Sequence, residues 1–398
     1  MTLQSHTQIG SIEKIKWAEF SARTQLVIVS ARSATRGSRI LHQLRTHCPQ
    51  AQMHLATSCQ GMMTERHVSL KSDEIALMTY EDPESSFGTA GASLNDPEQC
   101  AAITQQLLHI AELRASRAGE LPSLVWMSAT PGSEEKVIET IRSYFQSPVL
   151  ICGGSPANDD ITGKWWVGDQ SQIYPQGIVI SLIYTASKIT TRFSAGYQIA
   201  DIQGLITSGA DRLIRMIDHR PAAEVYNEWC QGSLDPYFPD GNILEASTFQ
   251  PLAISCGAIG LSPYYRVLHP ERIHEDGAIS TFSNVKQGER IVLLSGDRDS
   301  LVGRARRVAR GAILDTGGDV KGIRGALVIF CAGCFLAIKE HVDLVWEGLT
   351  LELPDVPMLG QFTFGEQGVF PDGEVAHGNL MVTVVLWSDA DKSDSWLT

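Results

Sequence analysis

The stretch YYRVLHPERIHEDG combines two side-chain types that bind metals and anions. It carries His269 and His274 five positions apart, with Arg266 and Arg272 beside them and Pro270 between the histidines. Neutral imidazole is a common ligand of transition metals, and guanidinium groups bind carboxylates. Haem would use both, because it offers an iron and two propionates. A surface turn with charges of both signs explains the same residues without any ligand.

Only one of the two histidines is expected to serve as a ligand. In a strand, an offset of five residues places two side chains on opposite faces, and Pro270 disfavours a helix through the pair. His269 follows the apolar run YYRVL, whereas His274 lies in the charged segment ERIHEDG. We therefore expect His269 to lie nearer a buried pocket and His274 to be solvated.

A second candidate is the CAGC motif, which places Cys331 and Cys334 where an apolar strand is predicted to meet a helix. A thiol at a helix start can have a lowered pKa, which favours redox chemistry. A zinc site would need a second pair of ligands, for which only scattered cysteines are available. Packing of two small residues at a strand end requires no function, so three interpretations stay open.

Other positions carry weaker signals. Gly153 and Gly154 end a predicted strand and either present backbone N–H groups to a ligand or form a plain turn. His377 precedes the last predicted strand, where a ligand role and a structural role are both open. The adjacent Trp165 and Trp166 would point to opposite faces of a strand, so at most one is expected in the core and the other near a pocket or on the surface.

The elements that position these residues alternate between strands and helices. Apolar runs such as QLVIVSA, SLVWMSA and PVLICGG alternate with helical segments, including one that begins at Ser133 with acidic residues in its first turn. Two adjacent strands in GIVISLIYTASKITTRFSAGY have no helix between them, which predicts mixed sheets. A helical segment that begins at Pro221 is followed by the Pro-, Gly- and Asp-rich connector LDPYFPDGN, and we place a domain boundary close to residue 220. The prediction is an α/β fold with two domains of mixed sheets and flanking helices.

A short echo within the chain suggests two related halves. TSCQGMM begins at Thr57 and TFGEQG begins at Thr363, and both follow apolar runs. Glycine after a strand is also common in ordinary turns. The echo therefore leaves open whether the two halves are related.

Composition excludes several classes of function. The formal net charge of -13 opposes binding to nucleic acid. The sequence shows no secretory signal and no apolar run of about 20 residues, so we expect a cytoplasmic protein without membrane contact. Eight scattered cysteines in such a chain are expected to be reduced thiols. P-loop, nucleophile-elbow, zinc-helix and kinase motifs are absent, and we expect no enzymatic activity.

Several segments together resemble the FIST family of sensory domains. They are SPANDD after the paired glycines, GIVISLIY, RMIDHRPAAEVYNEW, GERIVLLSGDRD, GALVIFCAGC and the closing GQFTFGEQGVF with AHGNLMVTVVLW. The resemblance implies a FIST N-terminal domain at 25–219 and a FIST C-terminal domain at 220–388. The segment HPERI is similar to the NosP branch of the family, whose members are nitric-oxide-sensing haemoproteins.

This resemblance implies haem b as cofactor, nitric oxide as ligand and a histidine kinase as signalling partner, because no residues remain for an output domain. It makes His269 the iron ligand and assigns Arg266 or Arg272 to the propionates. A homodimer is compatible with it. The remaining cofactor-binding positions implied by the family pattern are Gly153, Gly154, Glu366 and His377.

Two other functions remain open. One is a metal-free FIST module that binds an amino acid or another small metabolite through the Gly153–Gly154 turn and Glu366. The other is a thiol switch that uses Cys331 and Cys334. The first predicts a colourless protein, and the second predicts that either cysteine is essential.

Overall fold

The computed structural model describes residues 3–160, 162–259 and 262–389. These residues form eight α-helices and five short 3-10 helices. The α-helices are α1 (Gly37–His47), α2 (Cys100–Ala115), α3 (Glu134–Phe145), α4 (Ala222–Trp229), α5 (Leu244–Ser247), α6 (Arg298–Asp315), α7 (Ala332–Ala337) and α8 (Val342–Glu352). The 3-10 helices are Trp17–Glu19, Pro97–Gln99, Asp235–Tyr237, Val320–Gly322 and Lys339–His341.

The same residues form 27 strands. The first thirteen are β1 (Gln4–Ser11), β2 (Leu26–Arg32), β3 (Gln52–Ser58), β4 (Met62–Thr64), β5 (Val68–Ser69), β6 (Glu74–Glu81), β7 (Ser86–Ser93), β8 (Leu124–Ala129), β9 (Ile151–Gly154), β10 (Val167–Gly168), β11 (Ile173–Tyr174), β12 (Gly177–Tyr184) and β13 (Lys188–Ser194). The others are β14 (Gln198–Ala210), β15 (Leu213–Ile217), β16 (Arg220–Pro221), β17 (Gly241–Asn242), β18 (Leu252–Ile259), β19 (Ser262–Leu268), β20 (Pro270–Ile273), β21 (Ile279–Thr281), β22 (Arg290–Ser295), β23 (Ile323–Cys331), β24 (Met358–Thr363), β25 (Glu366–Val369), β26 (Val375–Gly378) and β27 (Val382–Ser388).

Three mixed sheets of the described chain share one apolar core. Their strand orders are β1-β6-β2-β3-β10-β11, then β26-β25-β9-β8-β12-β7, then β13-β27-β23-β24-β4-β5. Side chains from β2, β8 and β23 meet in that core, among them Ile28, Trp126 and Ile329. The outer faces are covered by α1, by α2 and α3, and by α6 and α8 respectively. The predicted α/β fold with mixed sheets is therefore confirmed.

Each of these sheets contains one parallel pair of strands. The pairs are β2 with β3, β8 with β9, and β23 with β24. A parallel pair needs a crossover connection, and here helices α1, α3 and α7 with α8 supply it. The two echoing turns, at Thr57 and Thr363, both lie at the end of the second strand of such a unit. The carboxyl end of β9, the second strand of the remaining unit, is the third equivalent position.

The fourth sheet is antiparallel and lies between these units in the sequence. Its order is β17-β20-β21-β15-β14-β22-β18-β19, with β16 paired to β15. The strand β14 pairs with β22 through its first part and with β15 through its second part, because irregularities interrupt its register. This sheet includes strands from both sides of the predicted boundary at residue 220.

Strands of the two predicted domains also pair with each other. β4 pairs with β24, β9 with β25, and β13 with β27. The early and late parts of the chain therefore build the same sheets. Among the described residues, no helix has both the length and the apolar character that crossing a membrane requires.

Candidate functional site

A cavity of about 240 Å³ lies where the three-sheet body meets the antiparallel sheet, and we call it the central cavity. Its apolar lining consists of Pro131, Trp165, Leu244, Phe282, Leu336 and Phe364. Its other lining residues are Glu134, Arg212, His269, Glu271, Cys331, Gly333 and Asn379. Residues from both predicted domains therefore enclose one space.

The parallel strands place the cavity at their carboxyl ends. Pro131 follows β8, Phe364 follows β24, and Cys331 is the last residue of β23. Side chains at the carboxyl ends of parallel strands are free of the ladder and converge on one edge, which is where α/β proteins bind ligands. The antiparallel sheet closes the cavity from the other side with Leu244, next to β17, and His269, between β19 and β20.

Two hydrogen-bond donors in the cavity wall have no partner among the described residues. They are Asn379 Nδ2 and Trp165 Nε1. The Asn379 side chain is anchored by its other end, because the Ser283 hydroxyl donates to Asn379 Oδ1. Trp165 is held edge-on against Phe364, with ring centroids 6.0 Å apart. A buried donor without an acceptor costs about 1–3 kcal/mol, so such groups point to a bound acceptor.

His269 offers the cavity an acceptor. The side chain is 3% exposed, and its Nε2–H donates to the Leu244 carbonyl at 2.8 Å, with Thr248 Oγ1 at 3.3 Å. Burial lowers the pKa of His269 to about 4, so the ring is neutral at pH 7. Nδ1 then keeps its lone pair, and no described residue donates to it. The ring packs against Gly333, where a Cβ would lie 3.2 Å from His269 Cε1.

A charged network forms another part of the wall. Arg212 Nη2 bonds Glu134 Oε2 at 2.9 Å and Glu135 Oε2 at 2.8 Å. Ser155 Oγ donates to Glu134 Oε1 at 2.6 Å, and His377 Nε2 lies 4.0 Å from the same oxygen. Burial acts to raise the pKa of Glu135, but the neighbouring His377 and Arg212 outweigh it and lower that pKa. The ionised form of Glu135 is thus favoured beside the Arg212 guanidinium.

Among the described residues, the group of side chains whose spacing comes nearest to that of a metal site belongs to this network. One ligand atom each of Glu134, Glu135 and His377 lies within 4.8 Å of the others. Arg212 already bonds both carboxylates, so a cation would have to displace a guanidinium. His377 Nδ1 accepts from Gln367 Nε2 at 3.1 Å, which fixes its ring in the network.

The predicted site residues are divided among several places, although Arg266 and His377 line one surface groove. His269 lines the central cavity, and His377 lies in the network behind Glu134. Arg266 faces a separate surface groove with Glu289 at 3.8 Å, and Arg272 makes an exposed ion pair with Asp240 at 2.6 Å. The structure does not bring either arginine to His269.

Gly153, Gly154 and Glu366 are buried beside the cavity without lining it in the described structure. A Cβ at Gly153 would collide with the backbone carbonyl of β8, so this glycine permits close strand packing. Glu366 accepts hydrogen bonds from Thr363 Oγ1 at 3.0 Å and from the Met381 amide at 3.1 Å. Burial raises the pKa of Glu366 well above its usual range.

Sequence reasoning missed four polar residues of the site: Glu134, Arg212, Glu271 and Asn379. From the sequence, the acidic residues at the start of α3 indicate where that helix begins, but they do not indicate that it contributes to a site. It did predict that one of the paired tryptophans would leave the core: Trp166 packs in an apolar cluster, and Trp165 lines the cavity. For Asn379 and Arg212 the sequence carries no signal, because their role depends on long-range packing.

The central cavity does not fit haem. Pockets for drug-sized ligands measure about 300–1,000 Å³, and haem is larger than most such ligands. The central cavity measures about 240 Å³. Its lining arginine within the described structure, Arg212, already pairs with two carboxylates, which leaves no cation for the propionates. His269 alone meets the requirement for an axial ligand.

A cavity with an apolar lining and a few polar groups is the common form of a small-molecule binding site. The chain belongs to the FIST family: the FIST N domain matches residues 25–220, and the FIST C domain matches residues 222–369. FIST domains are sensory domains. No curated protein matches the chain. The crystal structure of a cyanuric acid hydrolase from A. caulinodans aligns with 97% of this chain and 100% of its own, at 8% identity and a TM-score of 0.36.

Proposed function

We propose that the chain is a metal-free sensory module that binds a small zwitterion, an α-amino acid, in the central cavity. The observation that carries this proposal is the pair of unpartnered donors, Asn379 Nδ2 and Trp165 Nε1, in a cavity of about 240 Å³. A ligand carboxylate would accept from both donors. Bonds to a charged acceptor are stronger than bonds to a neutral one, so a carboxylate suits this position.

The other polar groups of the wall suit an ammonium group. Glu271 lines the cavity and accepts a bond of 3.3 Å from Ser280, which leaves it further acceptor capacity. His269 Nδ1 adds a neutral acceptor. The aromatic lining, including Phe282 and Phe364, would surround the ligand's side chain and exclude water.

Binding would act on both parts of the chain together. Pro131 and Trp165 come from the region matched by FIST N, and Leu244 and Leu336 from the region matched by FIST C. A ligand that contacts both regions stabilises the arrangement in which they surround it, because it binds that arrangement more tightly than others. That stabilised state is the signal that a partner protein would detect. The identity of the partner as a histidine kinase remains a prediction.

The test is calorimetric titration of the reduced protein with individual amino acids, supported by thermal shifts. Trp165→Phe removes the N–H donor and keeps an aromatic ring, so we expect the affinity for the bound amino acid to fall about 10- to 100-fold. Trp166→Phe is the matched control, since Trp166 Nε1 is also unpartnered but Trp166 does not line the cavity. Equal losses in both variants, or no binding of any amino acid by the wild type, would contradict the proposal.

Haemin titration of the same preparation tests the haem hypothesis. We expect no sharp Soret band and no change when nitric oxide is added under reducing conditions. A stoichiometric spectrum that depends on His269 would replace the amino-acid proposal with the haem-based one.

A further inference from the structure

Arg304, on α6, is a fully buried cation whose hydrogen bonds are incomplete. Its side chain is 0% exposed, and Nη1 donates to the Leu380 carbonyl at 2.6 Å. Nε and Nη2 have no partner among the described residues. The guanidinium lies over the Phe330 ring, 4.5 Å from its centroid. A buried charge without a counter-charge is strongly unfavourable, so an anionic group must lie nearby.

Among the described acidic groups that interact electrostatically with Arg304, which include Tyr197, Cys331 and Glu366, Cys334 contributes most. Its thiol is 0% exposed and interacts with the Cys331 thiol and with the Tyr197 hydroxyl, whose oxygen lies 3.5 Å from Cys334 Sγ. Although burial acts to raise the pKa of Cys334, hydrogen bonds and the Arg304 charge outweigh it and lower that pKa. Tyr197 is itself fixed, because its hydroxyl donates to the Thr248 carbonyl at 2.8 Å.

The partner thiol reaches the central cavity. Cys331 lines it, as do Gly333 and Leu336 of the following helix α7. Gly333 also packs against the ring of His269. A small oxidant in the cavity would therefore meet Cys331 first, and any rearrangement of the CAGC segment would move the wall that faces the ligand.

We propose that Cys331 and Cys334 form a reversible disulfide in the cavity wall and that this bond alters ligand binding. A hydroperoxide is the oxidant. With Cys334 ionised, its sulfur accepts the proton of the neighbouring Cys331 thiol while the Cys331 sulfur attacks one peroxide oxygen. The O–O bond breaks, the hydroxide that leaves takes a proton from solvent to become water, and Cys331 becomes a sulfenic acid. The Cys334 sulfur then attacks the Cys331 sulfur and expels the hydroxyl as water. In total, two thiols and one hydrogen peroxide yield one disulfide and two waters.

Closing the bond requires an S–S distance of about 2.05 Å, which tightens the first turn of α7. This turn carries Gly333, so the contact with His269 changes. The effect on ligand binding rests on the proposed function, whereas formation of the disulfide does not. We expect oxidation to change the affinity for the bound amino acid about tenfold, within the usual range of coupling between sites.

The experiment treats the reduced, ligand-free protein with hydrogen peroxide, alkylates the remaining thiols and maps peptides by mass spectrometry. We expect a Cys331–Cys334 cross-link that dithiothreitol reverses. It should be absent in Cys331→Ser and Cys334→Ser and unchanged in Cys256→Ser, which removes the half-buried thiol outside the cavity. Oxidation confined to Cys256, or a cross-link that forms no faster than oxidation of the isolated, buried Cys152, would overturn the proposal.

The role of the cation is tested with Arg304→Met and Arg304→Lys. Loss of the positive charge should slow cross-linking about tenfold at pH 7, because less thiolate is present, while Lys should retain most of the rate. If Arg304→Met fails to fold, Arg304→Gln provides the second measurement, since it removes the charge but keeps an N–H donor for the Leu380 carbonyl and should also slow the reaction. Wild-type rates in Arg304→Gln and in folded Arg304→Met would show that Arg304 does not activate Cys334.

Failure of this inference and failure of the proposed function can be told apart. The peptide map requires no ligand, and the titration of amino acids uses the reduced protein. Binding without cross-linking rejects the disulfide alone. Cross-linking without binding rejects the amino-acid ligand and leaves the redox site.

Discussion

Two buried histidines illustrate how the same side chain serves two purposes in this molecule. His54, on β3, donates or accepts at both ring nitrogens, with Ser181 Oγ at 2.9 Å and Ser128 Oγ at 3.0 Å, and it joins two sheets. His269 is nearly as buried but bonds through Nε2 alone. A complete set of bonds stabilises the interior, whereas an unused nitrogen beside a cavity is available to a ligand. From this contrast we expect His54 to contribute to stability and His269 to contribute to ligand binding.

The largest expected difference between the two sites is in stability. His54→Ala leaves a cavity and two buried serine hydroxyls without their partner, so we expect a loss of about 3–5 kcal/mol in the free energy of unfolding. His269→Ala mainly frees one carbonyl, and we expect a loss of about 1–2 kcal/mol. Urea unfolding at pH 7 measures both. Equal losses would remove the distinction between the two histidines.

A second test uses pH. Burial lowers the pKa of His54 to about 3 and that of His269 to about 4, from 6.5 in the unfolded chain. Below pH 6.5 these two histidines therefore bind protons in the unfolded chain but not in the folded chain. The stability that the neutral rings contribute is fully present above pH 6.5 and is lost as pH falls towards 4 and then 3.

We expect the free energy of unfolding to fall between pH 6.5 and pH 4, and to fall less steeply in His54→Ala. Urea unfolding across this range checks the slope, with His42→Ala as the control because His42 lies outside the buried clusters on α1. An unchanged slope in His54→Ala would show that His54 is protonated in the folded protein.

The smallest expected effect is on ligand affinity, for which His269 should matter more than His54. His269→Ala should weaken amino-acid binding about tenfold, because the ligand loses one hydrogen bond of about 1.4 kcal/mol. His54→Ala, titrated under conditions where it is folded, should bind with wild-type affinity. Calorimetry of both variants with the same amino acid decides the point. A weaker affinity in His54→Ala alone would place the ligand away from the central cavity.

The local features of the fold could be predicted from the sequence, and the composition of the site could not. The acidic helix start after Ser133, the strand-to-helix junction at Cys331 and the separation of Trp165 from Trp166 follow from periodicity and capping, and the structure confirms them. Short segments determine such features by themselves. All eight cysteines are free, as predicted.

The site depends on long-range pairing instead. Asn379 lies in the cavity wall because its backbone N–H donates to the Val267 carbonyl on β19, and Arg212 lies there because a turn carries it to α3. Neither residue has a local pattern that predicts this. Arginines close to His269 in the sequence do not share its site, because Arg266 and Arg272 have acidic partners of their own.

The pairing of early with late strands bears on how the protein is made. β9 and β13 leave the ribosome long before β25 and β27, the strands that complete their sheets. During that interval a nascent chain presents open sheet edges and uncovered apolar faces, the features that promote aggregation. We therefore expect the yield of folded molecules to depend on this interval. Chaperones that cover the open edges, or translation that completes the chain before aggregation begins, should raise that yield.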